Sequence, residues 1–330
     1  MAVAEVKAEA LWYVGPKDGE IRAEIRAEGL PPLAPGMVRV RTLYTALSRG
    51  TESLVAAGRV PESEYQRMRA PLMAGTFPFP VKYGYANVGR VEAGPSSLVG
   101  KDVFSLAPHQ TLMDLPEGMV VLLPDGIPAS RAVLSANMET ALNAMWDAEP
   151  ADGLKIAVVG AGVLGALVGF LAAKVKGAEV TLVDINPARA EIAKAFGIGF
   201  AKPEDAPGDR DLVFHTSASA AGLTTALNLC ADEATVLELS WYGAGTVPVP
   251  LGGAFHSRRL KLISSQVGKV APSRRATFTY RKRLEAAMAL LADNRLDALL
   301  APPVKFTELP ARLPDIFAPQ SGILCQLITY

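Results

Sequence analysis

The order of apolar and polar positions changes character once along the chain. Up to about residue 128 the pattern is short and alternating, as in half-buried strands. Leu11–Val14 and Ile21–Ile25 flank the turn Gly15-Pro16-Lys17-Asp18-Gly19 and are expected to pair. The stretch Leu30 to Gly36, with three prolines, breaks any helix, and Val38 to Tyr44 alternates as a strand does. Gly75 to Pro80 reads as a loop, while 88–91, 103–106 and 120–123 continue the β-rich pattern. From Ala129 the periodicity lengthens, and 130–147 is predicted as a helix with Ser130 as its N-cap.

Beyond Lys155 strand and helix alternate. Strands are predicted near 155–160, 179–184, 211–215, 235–240 and 260–264, with helices near 163–176, 187–196, 219–230 and 281–292. Such alternation predicts a parallel sheet covered on both faces. The uncharged run Ile156 to Ala173 is long enough to raise the question of a membrane span. It holds four glycines, and a β-branched half is followed by a Leu/Ala-rich half. That is the pattern of buried strand, tight turn and buried helix, so no span is expected.

Composition narrows the function classes. The 330 residues suffice for two domains, and half are hydrophobic. Lys plus Arg and Asp plus Glu number 33 each, which gives no global pull toward nucleic acid or an acidic membrane. Two cysteines, Cys230 and Cys325, make neither a disulfide framework nor a Cys-rich zinc knuckle. The N-terminal residues carry acids and lysines where a signal peptide has an apolar core, so a reducing, cytoplasmic setting is expected.

The strongest chemical signal is Gly160-Ala161-Gly162-Val163-Leu164-Gly165 after a predicted strand and before a predicted helix, with Asp184 ending the next strand. Gly160 permits a tight turn, Gly162 lets a pyrophosphate approach the backbone, and Gly165 lets helix and strand pack closely. The helix N-terminus, at Val163 and Leu164, faces the phosphates with free N–H groups. This is the Rossmann dinucleotide fingerprint. Asp184, followed by Ile185, can accept a ribose hydroxyl and repel a 2′-phosphate, which favours NAD over NADP; Arg189 softens that bias. Asp184 could equally cap a helix before Pro187. Loops after the later strands point to Ser217, Ser240 and Gln266 as cofactor contacts, with His215 near the cofactor ribose or acting as a general acid.

With the fingerprint, the chain resembles the medium-chain dehydrogenase/reductase superfamily. The motifs are Pro35-Gly36-Met37-Val38-Arg39-Val40, Gly84-x-x-x-x-Gly89-Arg90-Val91, and Thr235-Val236-Leu237 before Tyr242-Gly243. Ser48-Arg49-Gly50-Thr51-Glu52 is most similar to the bacteriochlorophyllide dehydrogenase branch. The resemblance implies an α/β fold with a GroES-like β-rich substrate domain (1–137 and 266–330) around a Rossmann doubly wound domain (138–265). It also implies an active site in the cleft between them and a homodimer or tetramer.

The zinc ligands of that superfamily are missing. Ser48 stands where a cysteine is expected, Gly84-Tyr85-Ala86 replaces Gly-His-Glu, and the third ligand falls near Ala136. No four-cysteine lobe lies between Val91 and Val103. A zinc-free site is expected, over a rearranged one using Glu52 or Glu139. A developing alkoxide then needs another donor, and Tyr85, Ser48 and Glu139 are the candidates. Each has a plain structural alternative: packing, a satisfied loop, an exposed helix face. The stretch Arg258–Arg283 carries nine basic residues and no acid, which is either a solvated surface or a guide for an anionic small-molecule substrate. The expected function is NAD-dependent hydride transfer on an alcohol/carbonyl pair. A quinone or enoyl reductase and a non-catalytic redox sensor remain open.

Overall fold

A computed structural model describes residues 6–330. Two compact units are present, one running up to Ala136 and resuming at Leu300–Tyr330, the other Asn137–Leu299.

The first unit opens with nine strands: β1 (Val6–Tyr13), β2 (Ala23–Leu30), β3 (Met37–Leu47), β4 (Ala74–Gly75), β5 (Val81–Lys82), β6 (Asn87–Ala93), β7 (Asp102–Ser105), β8 (Leu112–Pro116) and β9 (Val120–Leu122). Two short helices, α1 (Arg49–Ala56) and α2 (Ala129–Ala132), interrupt and follow them. The predicted hairpin forms, with Leu11 opposite Ile25 and Tyr13 opposite Ala23, and it extends further than the local pattern showed. Val38 and Val40 of β3 point inward and pack with Val91, Val103, Met113 and Leu115. Alternation along β3 therefore fixes its register, since a one-residue slip would expose both valines.

In the second unit α3 (Ser135–Ala148) precedes β10 (Lys155–Val159), α4 (Val163–Ala172), β11 (Glu179–Val183), α5 (Ala190–Phe196), β12 (Gly199–Ala201), β13 (Arg210–His215), α6 (Ala220–Leu229), β14 (Cys230–Glu238), β15 (Lys261–Ser264) and α7 (Tyr280–Ala289). The six strands lie in the order β12-β11-β10-β13-β14-β15, all parallel. The order reverses beside β10, so a topological switch point lies between the carboxyl ends of β10 and β13. The run 156–173 becomes β10, a tight turn and α4. Among the described residues no helix is long and apolar enough to cross a membrane.

The chain then returns to the first unit as β16 (Leu300–Lys305), α8 (Leu309–Phe317) and β17 (Cys325–Thr329), with β17 pairing to β3.

Three expectations change. The single helix over 130–147 is split, with Pro128, not Ser130, preceding α2 and a break before Ser135. Residues 266–299 fall in the same compact unit as the six-stranded sheet rather than in the first unit. Arg283, 2% exposed, donates to Glu139 at 2.9 Å, to Asn143 at 2.6 Å and to the Val267 carbonyl at 2.6 Å. A buried guanidinium needs that full set of acceptors, and it ties α7 and the 266–270 loop to α3. β12, only three residues long, has no periodicity to read.

Candidate functional site

The fingerprint glycines serve different needs. Gly160 sits at φ +101°, and a Cβ there would lie 2.7 Å from the Ser217 nitrogen. A Cβ on Gly165 would lie 1.8 Å from the Gly160 carbonyl oxygen, so only glycine lets α4 close on the turn. Gly162 differs: it caps α4 at φ −69°, and its Cβ would meet nothing within 4 Å. The space above Gly162, at the N-terminus of α4 with Val163 and Leu164 in its first turn, is open to a ligand.

Asp184 follows β11 and is held from two sides. The Ala161 N–H donates to Oδ2 at 2.7 Å and the Asn186 N–H to Oδ1 at 2.8 Å. The carboxylate is thus anchored beside the fingerprint turn, and each oxygen retains acceptor capacity. The cap before Pro187 is Asn186, whose side chain accepts from the Ala188 N–H, not Asp184. Ile185 is 82% exposed, a large apolar side chain left in solvent next to the acid. Arg189 is close enough to feel the Asp184 charge, although burial dominates and lowers its pKa.

At the ends of β13 and β14 a polar cluster appears. His215 is fully buried, with Nε2 2.7 Å from Ser217 Oγ and Nδ1 2.6 Å from Glu238 Oε2. The Ser240 N–H donates to Glu238 Oε1 at 2.7 Å, the Tyr242 hydroxyl to Oε2 at 3.0 Å, and the Ala218 N–H to Ser240 Oγ at 3.1 Å. Ser217, Ser240 and His215 therefore converge as the strand-end rule expected. Gln266 folds back onto the Gly268 N–H. Glu238 was not singled out from sequence. The signal was available, since Glu238 ends a strand two residues before Ser240.

In the first unit Tyr85 and Ser48 come together. The Tyr85 hydroxyl lies near the Ser48 and Thr51 side chains, both of which favour its ionised form. Burial first, then the Glu52 charge, push this phenol up to about 12, so it stays a proton donor at neutral pH. Glu52, fully buried, accepts from the Ser48 N–H at 2.8 Å and from the Tyr13 hydroxyl at 3.1 Å. Its Oε2 lies 2.8 Å from His109 Nε2, and His109 Nδ1 lies 2.8 Å from Thr45 Oγ1. His109 is far from Glu52 in sequence, and nothing in its spacing announced the pair.

Glu139 belongs to the second unit. It is 5% exposed and paired to Arg283 within the second unit. Burial raises its carboxyl pKa, and the guanidinium only partly reverses that shift. The pairing makes Glu139 an anchor of α3, and its burial overturns the exposed helix face offered as its structural alternative. The basic stretch is likewise engaged at home: Arg258 donates to the Cys230 carbonyl, Arg275 to the Val270 carbonyl, and Arg259 and Arg281 pair with Glu233 and Glu285.

Zinc was tested against these donors. Among the described residues no group of three or more His, Cys, Asp or Glu side chains could hold a metal ion. Ser48, Tyr85 and Ala136 offer two hydroxyls and a methyl. Glu52 and His109 are already bonded to each other and to Ser48, Tyr13 and Thr45. These residues do not fit a tetrahedral zinc site.

Solved structures place this architecture. L-idonate 5-dehydrogenase from Escherichia coli superposes with a TM-score of 0.80 over 99% of both chains at 14% identity. The fold is that of the medium-chain dehydrogenases. An E. coli alcohol dehydrogenase complexed with NADH matches at TM-score 0.77 and 15% identity, over 98% of this chain and 99% of that one. A zinc-binding dehydrogenase from Sinorhizobium meliloti bound to NADP matches at 0.76 and 15%, over 98% and 100%. In sequence, an uncharacterised zinc-type alcohol dehydrogenase-like protein of Haemophilus influenzae is 25% identical over 221 residues. That match spans 63% of this chain and 60% of the relative's length. No family model matches the chain.

Proposed function

We propose that this chain is an NAD(H)-dependent oxidoreductase that moves hydride between the nicotinamide ring and an alcohol/carbonyl substrate without catalytic zinc. The observation that carries the reading is the turn 160–165: two of its glycines are forced by close packing, and the third opens onto empty space at a helix N-terminus. Gly162, Val163 and Leu164 would hold the pyrophosphate, Asp184 the adenosine ribose hydroxyls, and Ile185 an apolar face for the adenine. Bound there, the dinucleotide supplies or accepts the hydride. Asp184 supports NAD over NADP, because a 2′-phosphate would face a fixed carboxylate.

Tyr85 is the proposed proton donor to the substrate oxygen. Its phenol is protonated, the Ser48 and Thr51 side chains lie near its hydroxyl, and among the described residues no group of three metal-binding side chains is present. A hydroxyl-bearing substrate is supported by the alcohol- and L-idonate-oxidising names among structures of this fold.

The test is binding and turnover with the dialysed protein. NADH should bind more tightly than NADPH, elemental analysis should find no stoichiometric zinc, and a panel of secondary alcohols and polyols should show NAD reduction that survives chelators. Equal affinity for both cofactors refutes the NAD assignment. About one zinc per chain, with activity lost on chelation, refutes the metal-free one.

A further inference from the structure

The cluster at the ends of β13 and β14 exceeds what holding a loop requires. An imidazole with no solvent exposure is bonded at both nitrogens, to a carboxylate on one side and a hydroxyl on the other. Burying such a pair is no route to stability in itself, since apolar residues of the same volume usually do as well or better. Its surroundings are built around it. A Cβ on Gly222 would lie 2.0 Å from Ser217 Oγ and 2.9 Å from His215 Nε2, so only glycine lets α6 stand over the line. Ala218 is held at φ +51°, an unusual conformation for a residue with a side chain. The line leaves the interior at one end: Ser217, half-buried, is 3.0 Å from Ser219 Oγ, which is exposed.

Its place in the sheet suggests its ligand. His215 ends β13 at the switch point, and Ser217 packs against Gly160 of the fingerprint turn. A doubly wound sheet binds a dinucleotide across that crevice, one half on each side. The fingerprint and Asp184 belong to the β10–β12 side and take the adenosine half. The nicotinamide half therefore falls to the ends of β13 and β14.

We propose that Ser217, His215 and Glu238 form a proton-linked contact for the nicotinamide half of the dinucleotide, with His215 singly protonated beside the oxidised, cationic ring and doubly protonated beside the reduced, neutral one. This rests on the dinucleotide reading above. Burial alone would raise the Glu238 pKa, but His215 and Ser240 together hold it below the usual range, so the carboxylate keeps a proton on Nδ1. The variable proton is then the one on Nε2. Without it, the Ser217 hydroxyl donates inward to the ring and offers a lone pair outward. With it, Nε2–H donates to Ser217 Oγ and the hydroxyl proton turns outward. A cationic nicotinamide repels the imidazolium and drives that proton to solvent; a neutral ring does not. The titratable groups facing the imidazole are Glu238 of β14 and Tyr242 beyond it. α6 presents Gly222, and the fingerprint turn presents backbone.

The experiment measures the dissociation constants of NAD+ and NADH across the range where imidazoles titrate, about pH 5 to 8. Going up in pH, NAD+ should bind more tightly while NADH binding changes little, so the ratio of the NAD+ to the NADH dissociation constant falls by up to about tenfold per pH unit. His215→Gln, which keeps hydrogen-bonding capacity but cannot titrate, should flatten the ratio while melting like the parent. Nitrogen NMR of the parent protein should show one proton on the His215 ring with NAD+ and two with NADH, a readout independent of any variant's folding. A pH-independent ratio in the parent, an unchanged slope in His215→Gln, or identical ring protonation in both complexes would overturn the proposal and leave the dinucleotide reading intact. Failure to bind either cofactor at any pH would overturn both.

Discussion

Gly162→Ala separates folding from cofactor binding more cleanly than any other change in the fingerprint. The residue has an ordinary φ of −69°, and an added methyl meets nothing within 4 Å. Reduced unfolded-state freedom favours alanine by about 0.4–1 kcal/mol. At an N-cap, however, alanine is worse than glycine by about 1 kcal/mol. The two nearly cancel, so stability should change by less than about 1 kcal/mol in denaturant unfolding. The methyl would occupy the approach to the helix N-terminus. An overpacked contact there costs about 1–3 kcal/mol, or roughly a 5- to 150-fold rise in the NADH dissociation constant by fluorescence titration. Gly165→Ala is the control of opposite character. Its Cβ would sit 1.8 Å from a backbone oxygen, so the turn itself must move and folding should suffer first. Normal NADH affinity in Gly162→Ala would refute the assignment of the open space to the pyrophosphate. A strongly destabilised Gly162→Ala would show that the space is not open.

Asp184→Ser should narrow the preference for NADH over NADPH. A unit-charge repulsion at ~4 Å is worth about 1 kcal/mol in water and about 4 at a protein surface, so paired titrations should show a change of about one to three orders of magnitude; an unchanged ratio removes Asp184 from cofactor choice. Tyr85→Phe keeps the ring and removes the hydroxyl. Turnover should fall about a hundred- to a thousandfold with NADH affinity unchanged, and full turnover would send the donor role to Ser48. Glu139→Ala leaves Arg283 buried without its carboxylate, which should cost about 3–5 kcal/mol in chemical denaturation; a cost below about 1 kcal/mol would contradict the anchoring role. Because burial raises the folded Glu139 pKa above its unfolded value, this carboxyl favours folding at low pH and loses that contribution as pH rises through the raised folded value.

The six-stranded parallel sheet was legible because a parallel sheet covered by helices writes its strands as apolar runs. Residues 156–159 and 180–183 are buried throughout and stood out at once. The glycine pattern carried the turn, because Gly160 and Gly165 each answer a local steric demand. What stayed hidden has one physical cause, contact between distant segments. Glu52 meets His109, and Glu139 meets Arg283, across sequence gaps that no periodicity encodes. The domain boundary moved for the same reason: composition around 266–299 says nothing of the acceptors on α3 that Arg283 requires. Alternation also failed on β4, β5 and β12, which are two or three residues long.

The segment 48–52 shows how a site can stay ordered with other chemistry. Ser48 precedes α1, and Glu52, one turn on, reaches back to the Ser48 N–H. That bond satisfies one of the free donors at the start of a helix and fixes the path of the loop. The same carboxyl group also receives the Tyr13 hydroxyl and faces His109, so most of its acceptor capacity is committed inside the first unit. A metal placed there would have to displace those partners and leave Tyr13 and His109 buried without them, at a cost of roughly 1–3 kcal/mol each. The carboxyl group instead holds the backbone of Ser48, whose side chain lies near the Tyr85 hydroxyl. This loop is preorganised by a helix start and a buried carboxyl–imidazole pair.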